Sequence, residues 1–337
     1  MIKYTKNNPL KCFFAFAGYD SQAMALQRVK EKIKDFDFTC VGWSEIDDAA
    51  IRAHNLCFPE YKDLNYGDIS KIDWNNVPDF DFFTYSFPCT NISTIGRQEG
   101  LKEGSGTASS LLWECGKAIL AKKPKFLLME NVKNLISKKY KASFDKWLEF
   151  LQEQGYKSYY KVINASDCNV PQNRERIFCV SILDNEKPYS FPDPEPLVKK
   201  ISTDIIEHNV DKKYYRKEGI DYTILPNDTG IVYRGFTYYE NESVGLFDSP
   251  KFRNKGLFEK SRTLRASNIG SGFVYREDGK LVVRRFTPKE YLMLMDVPNK
   301  YVDIIMNSNI CNTKIYKLAG NSIVVSCLEK IMENLFK

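Results

Sequence analysis

A repeating alternation of short apolar runs and amphipathic stretches, from residue 12 to residue 183, restricts the fold of this chain more than any other feature. Residues 12–17 predict a strand, and 21–34 a helix with Ala25, Leu26, Val29 and Ile33 along one face. Further strands are expected at 39–43, 80–86, 125–129, 159–164 and 177–183, with helical patterns at 49–55, 109–121 and 143–154. Strands that alternate with helices pair in parallel, because the helix carries the chain back across the face of the sheet. The expected fold class is therefore α/β, a doubly wound, Rossmann-like and mostly parallel sheet covered on both faces.

The rhythm stops near Asp184. Pro188, Pro192, Pro194 and Pro196 mark a linker. From there to Arg285 the chain offers Tyr- and Phe-rich strand-like pieces and turns, but no long helix. The expected division is a first domain at 1–184, completed by 286–337, and a smaller, mostly β or irregular domain at 185–285. Thr287 as N-cap, Pro288 in the first turn and Glu290 closing a capping box restart helical structure. The last helix, 324–336, carries Val325, Leu328, Ile331, Met332 and Leu335, an apolar set that packs back on the first domain.

Composition closes off several classes. Of the 337 residues 43% are hydrophobic and 14% aromatic, which supports a real core and excludes wholesale disorder. No apolar run reaches the length of a membrane span. Met1-Ile2-Lys3-Tyr4-Thr5-Lys6 lacks the apolar stretch of a secretory leader. The nine cysteines are odd in number and form no C-x-x-C pair, and the histidines are only His54 and His208. That speaks against a disulfide framework, a zinc site or a histidine triad, so no metal is expected and the expected compartment is a reducing cytoplasm. Between Lys251 and Lys289 eleven Lys/Arg face three acids, a local +8 against +6 for the whole chain. A polyanionic partner is expected for that segment.

The candidate chemistry sits at predicted strand ends. Cys89 follows Pro88 at the carboxyl end of the apolar run 80–87, the edge where open α/β sheets hold their ligands. Taken by itself, a free cysteine is more often a small buried hydrophobe. Glu130 ends the strand at 126–129 and is a candidate general acid/base, the alternative being an ordinary strand-end acid. Arg174 and Arg176, two apart on a strand, are expected on one face. One anion or polar base edge would then meet both forks, the alternative being a surface salt-bridge ladder. Gly320-Asn321, within Lys317-Leu318-Ala319-Gly320-Asn321-Ser322, is expected to turn before a helix and hold a carboxylate on backbone N–H groups. Phe16-Ala17-Gly18 follows the first strand, where doubly wound folds approach a nucleotide, but lacks the full glycine fingerprint.

Phe16-Ala17-Gly18, Glu45, Asp68-Ile69, Pro88-Cys89, Glu130-Asn131-Val132, Gln172-x-Arg174-x-Arg176, Arg285-Phe286-Thr287-Pro288-x-Glu290 and Gly320-Asn321-Ser322 occur in an order and spacing that resembles the DNA (cytosine-5-)-methyltransferases. The likeness is to their compact bacterial or phage type and spans essentially the whole chain. It implies methyl transfer from S-adenosylmethionine to C5 of a cytosine flipped out of a specific duplex DNA sequence, in a restriction-modification, orphan or phage setting. By this resemblance Cys89 adds to C6, Glu130 holds N3 and the exocyclic amine, Arg176 binds the O2 edge, and Arg174 supports the loop or a phosphate.

The cofactor, leaving as S-adenosylhomocysteine, would lie against Phe16, Gly18, Glu45, Ile46, Asp68, Ile69, Pro88, Leu111 and Asn321. Glu45 would take the ribose hydroxyls and Asp68 the adenine amino group, with Ile46 and Ile69 against the ring. Residues 185–285 become a target-recognition domain, with Lys251, Arg253, Lys255, Lys260, Arg262 and Arg265 on phosphates and Thr263 in a Thr-Leu element. Ser93 and Gln172 are further implied nucleic-acid contacts. The implied partners are duplex DNA and a restriction endonuclease acting on the same site, with the chain itself a monomer away from membranes.

The chain departs from the family pattern at Phe14 and Ala15, and at Asp20 and Ser21, which stand where glycines are usual. Ala108 stands where relatives often carry arginine, with Lys102 as another source of that contact. Other readings stay open. The same chemistry could act on tRNA. A non-catalytic nucleic-acid-binding module would need neither Cys89 nor Glu130. A nicotinamide dehydrogenase lacks its glycine fingerprint here and leaves Cys89, Glu130 and Arg176 unexplained together.

Overall fold

The computed structural model describes residues 3–88, 111–184, 188–219, 222–224, 226, 230–233, 236–239, 245–247, 260–266, 272–277 and 280–337. The first half runs β1 (Leu10–Ala15), α1 (Ser21–Lys32), β2 (Phe38–Ser44), α2 (Asp48–Cys57), β3 (Phe82–Tyr85), α3 (Leu111–Lys122), β4 (Phe126–Val132), α4 (Lys141–Glu153), β5 (Tyr156–Asn164), β6 (Gln172–Asn173) and β7 (Glu175–Leu183). Then come α5 (Ile201–Asp204), β8 (Tyr222–Ile224), β9 (Gly230–Tyr233), β10 (Phe236–Tyr239), β11 (Gly245–Phe247), β12 (Ser261–Arg262), β13 (Gly272–Glu277) and β14 (Lys280–Arg285). The chain closes with α6 (Pro288–Leu294), α7 (Asn299–Met306), α8 (Asn312–Asn321) and α9 (Val325–Phe336).

The main sheet has the order β2-β1-β3-β4-β7-β5. β1 is parallel to β2 and β3, and β3 to β4, whereas β7 enters antiparallel to β4. All of β1 but Lys11 is buried, which is why it reads as a continuous apolar run rather than an alternation. β2 lies on one side of β1 and β3 on the other, so the winding reverses there. Ligands of such sheets bind beyond the carboxyl ends of the strands at that reversal, and Phe16 and Pro88 leave the sheet at this point. Beneath it Phe13, Trp74, Phe80 and Phe83 form one aromatic cluster, with Phe13 and Trp74 centroids 5.1 Å apart. α9 returns to pack on α1, where Arg28 and Glu329 meet at 3.1 Å and Phe336 lies against Tyr4, Phe36, Phe82 and Phe126.

The chain divides into two compact units: Met1–Ile163, Glu175–Asp193 and Val325–Lys337 in one, Asn164–Arg174 and Pro194–Val324 in the other. The break at Asp193–Pro194 falls inside the proline-rich stretch. The division otherwise differs from the expected one, because 164–174 and 286–324 both group with the second unit. The latter's tie there is wholly buried Arg284 at the end of β14, whose guanidinium meets both oxygens of Glu290 on α6, at 2.6 and 2.9 Å. The same Glu290 closes the capping box with Thr287, so the cap legible in sequence is also a buried ion pair. The second unit further holds the antiparallel sheet β10-β9-β8, the sheet β11-β13-β14, and β12 paired parallel with β6. One expectation is corrected: Gly320 and Asn321 do not form a turn but end α8.

Candidate active site

The loop leaving β1 is held in an uncommon backbone path. Phe16, Gly18 and Asp20 have φ of 55°, 60° and 69°, the left-handed region that side chains other than Gly, Asn and Asp resist. Such strain persists where the surroundings over-determine it. Ala17 N–H donates to the Ser44 carbonyl at 3.1 Å, and Gly18 N–H to Glu45 Oε2 at 3.1 Å. The other oxygen of Glu45 accepts from the N–H groups of Ile46 (2.7 Å) and Asp47 (2.9 Å). A carboxylate oxygen has room for two donors, so Oε2 can still take a ligand hydroxyl. A Cβ built on Gly18 would meet nothing within 4 Å, and Ile46 is 70% exposed. The rim thus combines an acceptor, an open backbone and an exposed apolar side chain, the set a ribose and a planar base require.

Asp68 caps a short turn through Ser70, whose hydroxyl and N–H both donate to Oδ1, and this holds its carboxyl below the usual carboxylate range. Ile69 beside it is 4% exposed and belongs to the core cluster, so of the isoleucine pair Ile46 alone presents a broad free surface. Pro88 and Leu111 are half-buried, with Leu111 opening α3.

Beyond the carboxyl end of β3 the reacting groups would gather. Glu130 on β4 lies opposite Phe178 on β7, and Val132 opposite Arg176. Glu130 and Arg176 are therefore diagonal neighbours on one face. Arg176 Nε reaches Glu130 Oε1 at 3.2 Å, both side chains mostly buried, while Arg176 Nη1 donates to the Glu175 carbonyl at 2.8 Å. Two contacts fix the plane of the guanidinium. Asn131, buried, donates from Nδ2 to the Phe87 carbonyl at 3.0 Å and accepts its neighbour Val132 N–H on Oδ1. It pins the backbone just ahead of Pro88-Cys89, a role that only its position beside Glu130 hinted at. Cys89 itself, with Ser93, Lys102, Ala108, Lys251, Arg253 and Lys255, lies outside the described residues.

The arginine pair does not act as one fork. Arg174 lies between β6 and β7, outside either strand, so strict alternation does not carry from it to Arg176. Its guanidinium, within the second unit, donates to the carbonyls of Leu264 (2.9 Å), Gly320 (3.0 Å) and Ser322 (2.6 Å). It is placed to support backbone rather than to meet an anion. Gln172, expected on nucleic acid, is fully buried, donating to the Leu294 carbonyl at 2.7 Å and accepting the Leu264 N–H at 3.1 Å. Thr263 donates to the Asn173 carbonyl at 2.7 Å. A Cβ on Gly320 would come within 2.3 Å of Ala266 N, so only glycine lets α8 approach this segment. Arg262 and Arg265 are half-buried, Lys260 donates to Ser166 Oγ at 2.7 Å, and Asn321 is exposed at the end of α8.

Burial pushes the Cys57 and Cys179 thiols up to about 12, and those of Cys12, Cys40 and Cys115 well above their ordinary value. None of these is a thiolate at neutral pH. Among the described residues no cluster of His, Cys, Asp and Glu could hold a metal ion, and no helix is long and apolar enough to cross a membrane.

Comparison with known proteins agrees with this arrangement. The family model of C-5 cytosine-specific DNA methylases matches residues 10–337. The type II methyltransferase M2.ScrFI of Lactococcus lactis subsp. cremoris is 43% identical over 81% of this chain and 71% of its own length. M.Bsp6I, a type II methyltransferase of a Bacillus species, is 31% identical over 80% of this chain and 83% of its own. Among solved structures, a DNMT2 of Spodoptera frugiperda superposes with a TM-score of 0.68 at 19% identity, covering 97% of this chain and all (100%) of that one, which speaks for the fold. Motif order, sheet topology and the match across nearly its full length agree: the chain belongs to the C-5 cytosine-specific DNA methylase family.

Proposed function

We propose that the chain methylates C5 of cytosine in duplex DNA from S-adenosylmethionine, through a covalent bond between Cys89 and C6. The observation that carries this reading is the Glu130–Arg176 pair at the sheet edge where Asn131 anchors the backbone ahead of Cys89. C5 of cytosine is a poor nucleophile, and addition of the Cys89 thiolate to C6 makes it an enamine carbon able to take a methyl group. The cofactor supplies that methyl as an electrophilic sulfonium substituent. Glu130 would hold the N3 proton and accept from the exocyclic amine, and Arg176 would donate to O2, so both stabilise the ring as charge develops. A base then removes the C5 proton and the thiolate leaves C6, restoring the double bond. The target base must leave the stack, at a cost of a few kcal/mol.

Gly18, Glu45, Ile46 and Asp68 would hold the cofactor, and Lys260, Arg262 and Arg265 would contribute positive charge to a recognition region in the second unit. The test is methylation-sensitive sequencing of DNA from cells expressing the chain, with duplex DNA and tRNA methylated side by side in vitro. 5-Methylcytosine at one recurring DNA context is the expected result. Methylation of tRNA alone, or of neither, would overturn the reading.

Asn131 gives a further prediction. Asn131→Ala removes the bond to the Phe87 carbonyl and lets the nucleophile's backbone drift. Turnover at saturating substrates should fall roughly ten- to hundredfold, the scale of a displacement near 1 Å. Cofactor affinity measured by calorimetry should stay within about twofold of wild type.

A further inference from the structure

Asp20 stands where the family usually has glycine, yet its backbone keeps the left-handed conformation, with φ 69° and ψ 60°. Its carboxylate is wholly buried, and both oxygens are used. Oδ1 accepts the Ala23 N–H at 2.8 Å and caps α1, and Oδ2 lies 3.2 Å from Nε2 of His54 on α2, also wholly buried. The His54 ring is stacked on Trp43 of β2, with centroids 3.7 Å apart and planes 18° apart, which fixes its orientation. Nδ1 of His54 has no hydrogen-bond partner among the described residues. A buried orphan N–H is rarer than a buried orphan acceptor, and Oδ2 needs a donor, so the hydrogen belongs on Nε2.

The placement of this pair matters because α2 begins directly after Glu45, Ile46 and Asp47. Besides the Ala17–Ser44 backbone bond, two side-chain contacts tie the β1–α1 loop to the β2–α2 segment. Gly18 N–H holds Glu45 Oε2 at the open rim, and Asp20 holds His54 beneath it. Between the two ties lies the strained turn that presents the backbone of Gly18.

We propose that Asp20 and His54 are a positioning pair for the cofactor: their buried contact locks the left-handed loop so that Gly18 and Glu45 face the ribose together. Neither residue touches the ligand. The inference rests on the reading of this rim as the S-adenosylmethionine site, and it adds a device particular to a chain with aspartate at this position.

The test is calorimetric binding of S-adenosylmethionine to the full chain and to the variants H54F, H54Q and D20G. Phenylalanine keeps the stack on Trp43 and removes the donor. Glutamine places an amide nitrogen near where Nε2 stands. Glycine adopts φ 69° without strain and removes the carboxylate. H54F and D20G should bind the cofactor at least tenfold more weakly, and H54Q within threefold of wild type. KM for the cofactor should rise in H54F and D20G with kcat at saturation and duplex affinity within twofold, a split that a loss of general stability would not produce. Folded H54F and D20G that bind within twofold of wild type would overturn the pair's role. Should H54F fail to fold, D20G against H54Q decides by the same thresholds. A wild-type chain that binds no S-adenosylmethionine would overturn the cofactor reading itself and the pair's role with it, a result distinct from unchanged affinity in the variants.

Discussion

Cys89→Ser is expected to abolish methyl transfer, with kcat falling on the order of four to six decades, the scale on which enzymes lose activity with their nucleophile. A serine hydroxyl is far less acidic than a thiol and stays un-ionised at neutral pH, so C6 would not be attacked. The proposal also predicts what should survive. On this proposal cofactor and duplex binding would rest on the β1 and β2 ends and on the basic region, so both affinities should stay within about threefold of wild type. A duplex carrying 5-fluorocytosine at the target gives a second readout, because fluorine cannot leave C5 as a proton does. The wild-type chain should form an adduct stable to denaturing gel electrophoresis, and the serine variant none. A serine variant that methylates at near wild-type rate would sink the covalent mechanism.

Arg174→Ala is expected to act on stability rather than on chemistry. The guanidinium donates to three carbonyls of the second unit, and those of Gly320 and Ser322 lie at the end of α8, where orphan carbonyls and the helix dipole favour a cation. Charge-assisted bonds of this kind contribute about 1.5–3 kcal/mol each and are not additive, so a loss of about 3–5 kcal/mol is expected. The urea midpoint should drop accordingly. Arg174→Lys should recover only part of it, since an ammonium cannot reproduce the planar fork that meets separate carbonyls. Unchanged stability with lost methylation would instead place Arg174 on the substrate.

Much of the first unit was legible because it depends on periodicity. β1, β3 and residues 126–129 of β4 are largely apolar runs, α1 and α9 carry their apolar residues at helical spacing, and in the second unit Thr287 with Glu290 spelled out a cap that the structure contains. Strand order was not legible. β7 enters antiparallel between β4 and β5, a choice made by pairing between distant segments, on which local spacing is silent. The fate of Gly320-Asn321 was hidden for the same reason. The pair reads as a turn, but the Gly320 carbonyl is satisfied by Arg174, 146 residues earlier in the chain, and α8 runs on through both.

Ile46 and Ile69 make the contrast at the level of single residues. As letters they are equivalent, yet one is 70% exposed beside Glu45 and the other 4% exposed in the aromatic core. His54 shows it again, since sequence can only set it aside as a metal ligand, while burial against Asp20 gives it a partner. The sequence by itself determined the family and the kind of chemistry, because reaction chemistry demands particular side chains at strand ends and those ends are written in the hydrophobic pattern. Which polar groups face a ligand and which are consumed inside the protein was decided only by the tertiary structure. Burial and hydrogen-bond partnership are set by segments that meet across the fold, and nothing local in the chain records them.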